Sequence, residues 1–341
     1  MSRRTREADP VALAEGVLAG DRRAVARLIS MVEAGAAGPH QAPDARLRTA
    51  AELLAPRTGR AAVLGVTGAP GVGKSTLCDR VVAAEREAGR SVGVLAVDPS
   101  SPFTGGALLG DRVRMQAHTL DQGVFIRSMA TRGRLGGLAW ATPQAIRILD
   151  AAGCQLVLVE TAGVGQSEVE IAGQADTTVV VLAPGLGDAV QVAKAGILEI
   201  ADVLVVNKAD RDGARRLVRD LREMLALGSS PQSSVGSSGW DVPVLTTVAE
   251  RGEGVAELLE AVAAHRAHLE AGGWLRRRRL ARVATEVREL ALATLRAELA
   301  EPAAGADLDA LAERVLAGEL GPHTAADHLL GRQPAAPAPL R

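Results

Sequence analysis

The chain has 341 residues, enough for one large α/β domain with helical additions or for two domains, and either can bury a substantial core. Hydrophobic residues make up 47% but aromatics only 1%, so that core is expected to consist mostly of Leu, Val and Ala. With 39 basic against 40 acidic residues, a net charge of −1, no Tyr and two Phe, the composition gives no reason to expect nucleic acid or an anionic membrane as partner.

Cys78 and Cys154 are too few for a disulfide framework, and both fall in segments that read as buried helix or strand. The first ten residues lack the apolar stretch of an export signal, and no uninterrupted apolar run reaches membrane-spanning length. A cytoplasmic location is therefore expected.

In chain order, Leu13, Val17, Val25, Leu28, Ile29 and Val32 lie at helical spacing with a break at Gly20-Asp21, which predicts two short helices over 11–32. A third runs over 47–54 towards Pro56, and all three read as scaffold. An apolar run of strand length, 61–66, then meets Gly68-Ala69-Pro70-Gly71-Val72-Gly73-Lys74-Ser75-Thr76, and Leu77, Val81 and Val82 stripe a helix through Ala88. The run 68–75 fits the pattern G-x-x-x-x-G-K-[S/T] in its strand–loop–helix setting. Backbone N–H groups must wrap a polyphosphate, and side chains would hold them away, so glycines at 68, 71 and 73 suit such a loop. Lys74 would place its ammonium between the outer phosphates, Ser75 would offer its hydroxyl to Mg²⁺, and the helix N-terminus would face the anion.

A Val-rich strand over 91–97 ends at Asp98-Pro99, which puts a carboxylate on the sheet edge where α/β proteins bind ligands. A Gly-rich stretch with Asp111, Arg112 and Arg114 follows, then a short strand over 124–126 and a loop over 127–137 holding Arg127, Arg132 and Arg134. Long loops of this kind are candidate switch segments. A helix over 142–152 and a buried strand over 155–159 lead to Glu160-Thr161-Ala162-Gly163. There the acid can hold Mg²⁺ through water, and the Gly163 N–H can reach a γ-phosphate. Val164 stands where Ras-like proteins carry a water-orienting Gln, so slow hydrolysis is expected unless Gln166, a switch residue or a partner supplies that group.

A strand over 177–182 precedes Pro184-Gly185-Leu186-Gly187-Asp188 and a helix through Ile200 that includes Lys194. The next strand, 203–206, ends at Asn207-Lys208-Ala209-Asp210. Guanine offers N1–H and a 2-amino group, which one carboxylate such as Asp210 can accept together; adenine cannot present that pair, so GTP and GDP are expected over ATP. After an amphipathic helix (215–227) and a Ser/Gly-rich loop (228–239), a last strand (242–246) brings Thr247, Val248 and Ala249 to contact the guanine through backbone groups.

From Val255 to Leu299 nearly everything reads as helix, with four arginines at 276–279. Such an arm cannot bury its apolar stripe on itself and is expected to pack on another subunit. His265 and His268 share a helix face but have no third ligand nearby, so they read as surface histidines rather than a metal site. Two small helices, 310–316 and 324–330, precede a Pro/Ala tail from Gln333 that reads as disordered. The expected fold is thus an α/β P-loop NTPase with a mostly parallel central sheet flanked by helices. Its expected parts are an N-terminal helical extension (1–55), the nucleotide domain (56–270), a C-terminal helical dimerisation arm (271–332) and the tail (333–341).

The phosphate loop, Leu95-Ala96-Val97-Asp98-Pro99-Ser100-Ser101, Gly105-Gly106, Leu109-Gly110-Asp111, Thr131-Arg132-Gly133, Leu135-Gly136-Gly137, the run Val159-Glu160-Thr161-Ala162-Gly163-Val164-Gly165-Gln166-Ser167-Glu168 and Val206-Asn207-Lys208-Ala209-Asp210 together closely resemble the MeaB/ArgK family. The resemblance runs from about residue 11 to 330. It implies a P-loop GTPase of the SIMIBI class, a homodimer that chaperones an adenosylcobalamin-dependent acyl-CoA mutase, gating cofactor loading and protecting or reactivating the mutase. It also implies that Asp98, Asp111 and Glu160 cluster with Ser75 by Mg²⁺ and the phosphates, and that Lys194 lies beyond a mobile loop, 184–188, that answers to the mutase. Departures from the family pattern are Ala162 for Val, Leu186 within a glycine run, Ala189-Val190 for Glu-Leu, and Val248 for Ser. Three other readings stand beside it, of which a targeting GTPase of the signal-recognition type would show different residues after the second strand and a Met-rich domain, whereas the chain has five Met. A nickel metallochaperone GTPase would need metal ligands beyond two isolated cysteines, and a P-loop kinase or transport ATPase acting on a small molecule is opposed by Asp210.

Overall fold

The computed structural model describes residues 9–35, 45–98, 115–118, 120–130, 141–161, 171–186, 197–228, 239–299 and 302–331. Seven strands form one sheet: β1 (Ala62–Thr67), β2 (Val92–Asp98), β3 (Val124–Ala130), β4 (Leu156–Thr161), β5 (Thr177–Leu182), β6 (Val203–Val206) and β7 (Val244–Thr246). Their order is β3-β2-β4-β1-β5-β6-β7, and every pairing is parallel. Strands buried on both faces read as continuous aliphatic runs, which is why β4, β5 and β6 are apolar almost throughout.

Alternation along each strand divides the core between the two faces. Leu95, Val97, Val157 and Val159 meet the N-terminal helices α1 (Pro10–Leu18), α2 (Arg22–Gly35) and α3 (Ala45–Leu54), together with α5 (Thr142–Ala151). On the other face Val92, Val94, Leu156 and Leu158 meet α4 (Lys74–Glu87) and α7 (Val255–Ala271). Leu217 and Leu221 of α6 (Ala214–Gly228) cover β6 and β7. The N-terminal helices are therefore scaffold, as their pattern predicts.

The structure departs from three expectations. The strand predicted over 124–126 continues to Ala130, so Arg127 stands in a strand rather than a switch loop; it ion-pairs with Glu33 and donates to Ser30 Oγ at 3.0 Å, fastening α2 to the sheet edge. His265 is fully buried, not a surface residue: its Nδ1 lies 2.9 Å from Thr177 Oγ1 and its Nε2 3.2 Å from Asp202 Oδ1. Trp240 packs against it, with ring centroids 5.0 Å apart, and donates from Nε1 to the Asp202 carbonyl at 2.8 Å. The segment after β5 predicted as helix lies outside the described residues up to position 196, and 197–200 is a short 3₁₀ turn.

The amino edge of the sheet carries a row of buried acids. Asp150 accepts from the N–H groups of Gly59, Arg60 and Ala61 as the chain enters β1. Asp176 accepts from Val63 N–H at 3.1 Å, and Asp202 from Thr178 N–H at 2.8 Å. Arginines from the start of α8 (Trp274–Leu299) complete the row. Arg278 makes two bonds to Asp202, at 2.9 and 3.0 Å, while Arg279 and Arg282 hold Asp176, and Arg279 also caps the Gly59 and Ala61 carbonyls. Burial alone would push both carboxyls up, but His265 and Arg278 at Asp202, and Arg279 and Arg282 at Asp176, hold them below the usual carboxylate range.

The chain divides into two compact units: Met1–Ala37 with Ala45–Ala284, and Gly38–Asp44 with Thr285–Arg341. In the second, α9 (Pro302–Leu316) and α10 (Pro322–Leu329) pack together, and Val287, Leu295, Leu308 and Leu316 are exposed. Among the described residues no helix is long and apolar enough to cross a membrane.

Candidate nucleotide site

The loop after β1 turns at three glycines whose φ angles are 141° (Gly68), 80° (Gly71) and 96° (Gly73), all in the region that favours glycine. Close approach adds to this: a Cβ on Gly68 would come within 2.1 Å of the Val181 carbonyl oxygen, and one on Gly73 within 2.4 Å of Asn207 Nδ2. Gly73 caps α4, and Lys74 and Ser75 open its first turn. Lys74 is buried, and its Nζ donates to the carbonyls of Gly68 (2.8 Å) and Ala69 (3.1 Å), so the ammonium sits in the curl of its own loop. The loop brings Gly68, Ala69, Pro70, Gly71, Val72, Gly73, Lys74, Ser75 and Thr76 to the carboxyl edge of the sheet, where β4 and β5 flank β1.

Beside the loop, Glu160 is buried near the end of β4 and accepts a hydrogen bond from Ser75 Oγ at 2.6 Å. Thr161 donates to Thr67 across the strand ends at 2.9 Å. Asp98 closes the neighbouring strand β2, where Val97 is in register with Thr161. Asp111, Gly163, Gln166 and Lys194 lie outside the described residues.

The Asn-Lys-Ala-Asp quartet begins where β6 ends. Buried Asn207 donates to the Val72 carbonyl at 2.8 Å and accepts from Thr247 Oγ1 and Ala249 N–H, both at 3.0 Å, so one amide joins the phosphate loop, the end of β6 and the loop after β7. Lys208 has φ 55°, rare for a residue with a side chain, and its Nζ donates to the Gly71 carbonyl at 2.6 Å. Asp210 is exposed on the turn that follows. Val248 and Ala249 are buried, and Val248 N–H donates to the Glu253 carbonyl at 3.0 Å. Sequence reasoning did not find two supports of this site: the Thr247 hydroxyl on Asn207, and Arg80 of α4, which donates to the Ala249 and Glu250 carbonyls. No spacing rule links position 80 to position 249, because only the packing of α4 beside the 249–251 turn brings them together.

Glycine-turned loop, lysine, hydroxyl and strand-end carboxylate, with an Asn-centred base loop two strands away beyond β5, define a P-loop nucleotide hydrolase of the guanine-binding kind. The chain belongs to the MeaB family: residues 25–304 match the family described as methylmalonyl Co-A mutase-associated GTPase MeaB, and the protein is a GTPase. A Pyrococcus abyssi relative named as a GTPase is 46% identical over 318 residues, 93% of this chain and 95% of that one. GTPase ArgK of Escherichia coli is 36% identical over 262 residues, 75% of this chain and 76% of its own. The fused isobutyryl-CoA mutase of Cupriavidus metallidurans is 37% identical over 238 residues, which are 69% of this chain and 21% of that protein. Among solved structures, an LAO/AO transport system kinase superposes with a TM-score of 0.64 at 25% identity, over 96% of this chain and 98% of that one.

Proposed function

We propose that this GTPase is a magnesium-dependent chaperone of an adenosylcobalamin-dependent acyl-CoA mutase of the methylmalonyl-CoA mutase type, whose nucleotide state gates cofactor loading and helps protect or reactivate the mutase. The observation that carries the partner is the relative that is itself a fused isobutyryl-CoA mutase, in which the matched stretch forms part of a mutase polypeptide. An association made covalent in one protein is a natural association for a separate chain.

For the chemistry, Lys74 serves the outer phosphates, and the oxygen pair of Ser75 and Glu160, 2.6 Å apart, suits a hard cation. Asp98 and Asp111 complete that set in this reading. These residues would hold Mg²⁺, which would supply positive charge to offset that of the phosphates. Gly163 and Gln166 are assigned to the γ-phosphate and the attacking water, Lys194 to the segment that answers to the mutase, and Asp210, with Asn207, Lys208, Val248 and Ala249 around it, to guanine. The helical arm, 271–332, is assigned to a homodimer interface, for which exposed Val287, Leu295, Leu308 and Leu316 supply apolar surface. The cell interior is the expected location for such a partner.

The test mixes the purified protein with methylmalonyl-CoA and isobutyryl-CoA mutases in GTP or GDP, following co-elution and phosphate release. One mutase should co-elute in a nucleotide-dependent way and speed hydrolysis. The likeness to a transport system kinase favours a second reading, phosphorylation of a small molecule. ATP-dependent transfer to such an acceptor, with no mutase retained, would establish it instead.

A further inference from the structure

Arg80 lies outside every motif of the sequence, six residues beyond Lys74 on α4. Its Nε donates to the Ala249 carbonyl at 3.1 Å and its Nη2 to the Glu250 carbonyl at 2.8 Å. These carbonyls open the 3₁₀ turn Ala249–Arg251 that follows the base loop. The N–H of Ala249 is committed to Asn207 Oδ1 at 3.0 Å, and the Asn207 amide to the Val72 carbonyl at 2.8 Å. The contacts close a circuit that runs from the phosphate loop through Asn207 to the base loop, through Arg80 to α4, and back along α4 to Lys74 and Ser75.

We infer that Arg80 is a positioning residue for base discrimination, holding residues 247–249 in fixed register with the phosphate loop through two adjacent backbone carbonyls. The inference rests on reading this site as a guanine-nucleotide pocket. With Arg80 in place, a nucleotide gripped by its phosphates meets base-reading groups already set at the right distance, and ordering of the base loop adds little cost to binding. Without it, residues 247–249 keep Asn207 and their backbone bonds to Val206, Ala209 and Glu253 but lose the tie to α4, so the loss falls on the base and not on the phosphates. An arginine suits the task because its planar fork carries several donors at once and stays charged; a lysine ammonium would satisfy these two carbonyls less well.

The test is competition against a fluorescent GDP on the full-length protein, comparing wild type, Arg80→Ala and Arg80→Lys with GDP and ADP as competitors. Loss of these two hydrogen bonds predicts GDP affinity roughly tenfold weaker in Arg80→Ala. ADP affinity should barely change, so that guanine preference falls by the same factor, and Arg80→Lys should recover part of it. Unchanged GDP affinity in Arg80→Ala, or GDP and ADP weakened equally as general loosening would give, overturns the inference. A wild-type protein with no preference for GDP over ADP overturns the guanine reading of the pocket, and the inference with it.

Discussion

At the scale of single residues, the proposed function depends on groups gathered at strand ends, and each can be tested by substitution. Lys74 can exchange two backbone carbonyls for phosphate oxygens, and charged hydrogen bonds are worth about 1.5–3 kcal/mol each, so Lys74→Ala should weaken GTP binding by roughly a hundredfold or more in a calorimetric titration. Asp210→Asn removes the double acceptor proposed for guanine and offers one amide donor in its place. Guanine nucleotides should then lose about a hundredfold in affinity while xanthine nucleotides, with a carbonyl at position 2, gain. Burial pushes the Cys154 thiol up to about 12, with the nearby Asp150 charge adding to the effect, so Cys154 should resist maleimide at pH 8 in the native protein and react once denaturant is added. These residues differ in how legible they were. Lys74, Ser75 and Asn207 announce themselves because a phosphate loop and a base quartet are local runs with fixed spacing. His265 does not: a histidine nearly three turns into a helix looks like surface until β5, Trp240 and Asp202 close over it.

At the scale of elements, strands were the easiest part to read, since a parallel sheet covered on both faces needs uninterrupted aliphatic runs. The fastening of α8 was harder. Four consecutive arginines suggest a solvated or docking face, yet Arg278 and Arg279, with Arg282 one turn on, are latched to Asp202 and Asp176 at the amino edge of the sheet. Arg279→Met leaves buried Asp176 with less compensation, and breaking a buried pair costs on the order of 3 kcal/mol, so its urea midpoint should fall clearly below that of the wild type. The same carboxyls set an acid limit. Their native pKa values lie below the unfolded value of about 3.9, so their stabilising contribution is intact above that value and drains away as pH falls towards the native values. Urea midpoints taken from pH 7 down to pH 3 should therefore drop on the acid side, and Asp202→Asn should flatten the drop. A flat wild-type profile would show that the latch contributes nothing.

At the scale of the whole molecule, the strand order places the phosphate loop between β4 and β5 and the base quartet one strand further on, so the proposed nucleotide would lie along the carboxyl edge while Arg278 and Arg279, at the start of α8, are fastened at the opposite one. Membership of the MeaB family was legible because the motifs recur in a fixed order over most of the chain. The bracing by Arg80 and Thr247 was not, because it depends on which helix packs beside which loop. If the proposed homodimer forms, light scattering on the eluting protein should give twice the protomer mass. The most direct measurement remains calorimetric titration of the purified full-length protein with GDP and with ADP in the presence of Mg²⁺. GDP should bind saturably, one nucleotide per chain, with ADP far weaker; equal binding of both, or no heat from GDP, would overturn the assignment of a guanine-nucleotide site.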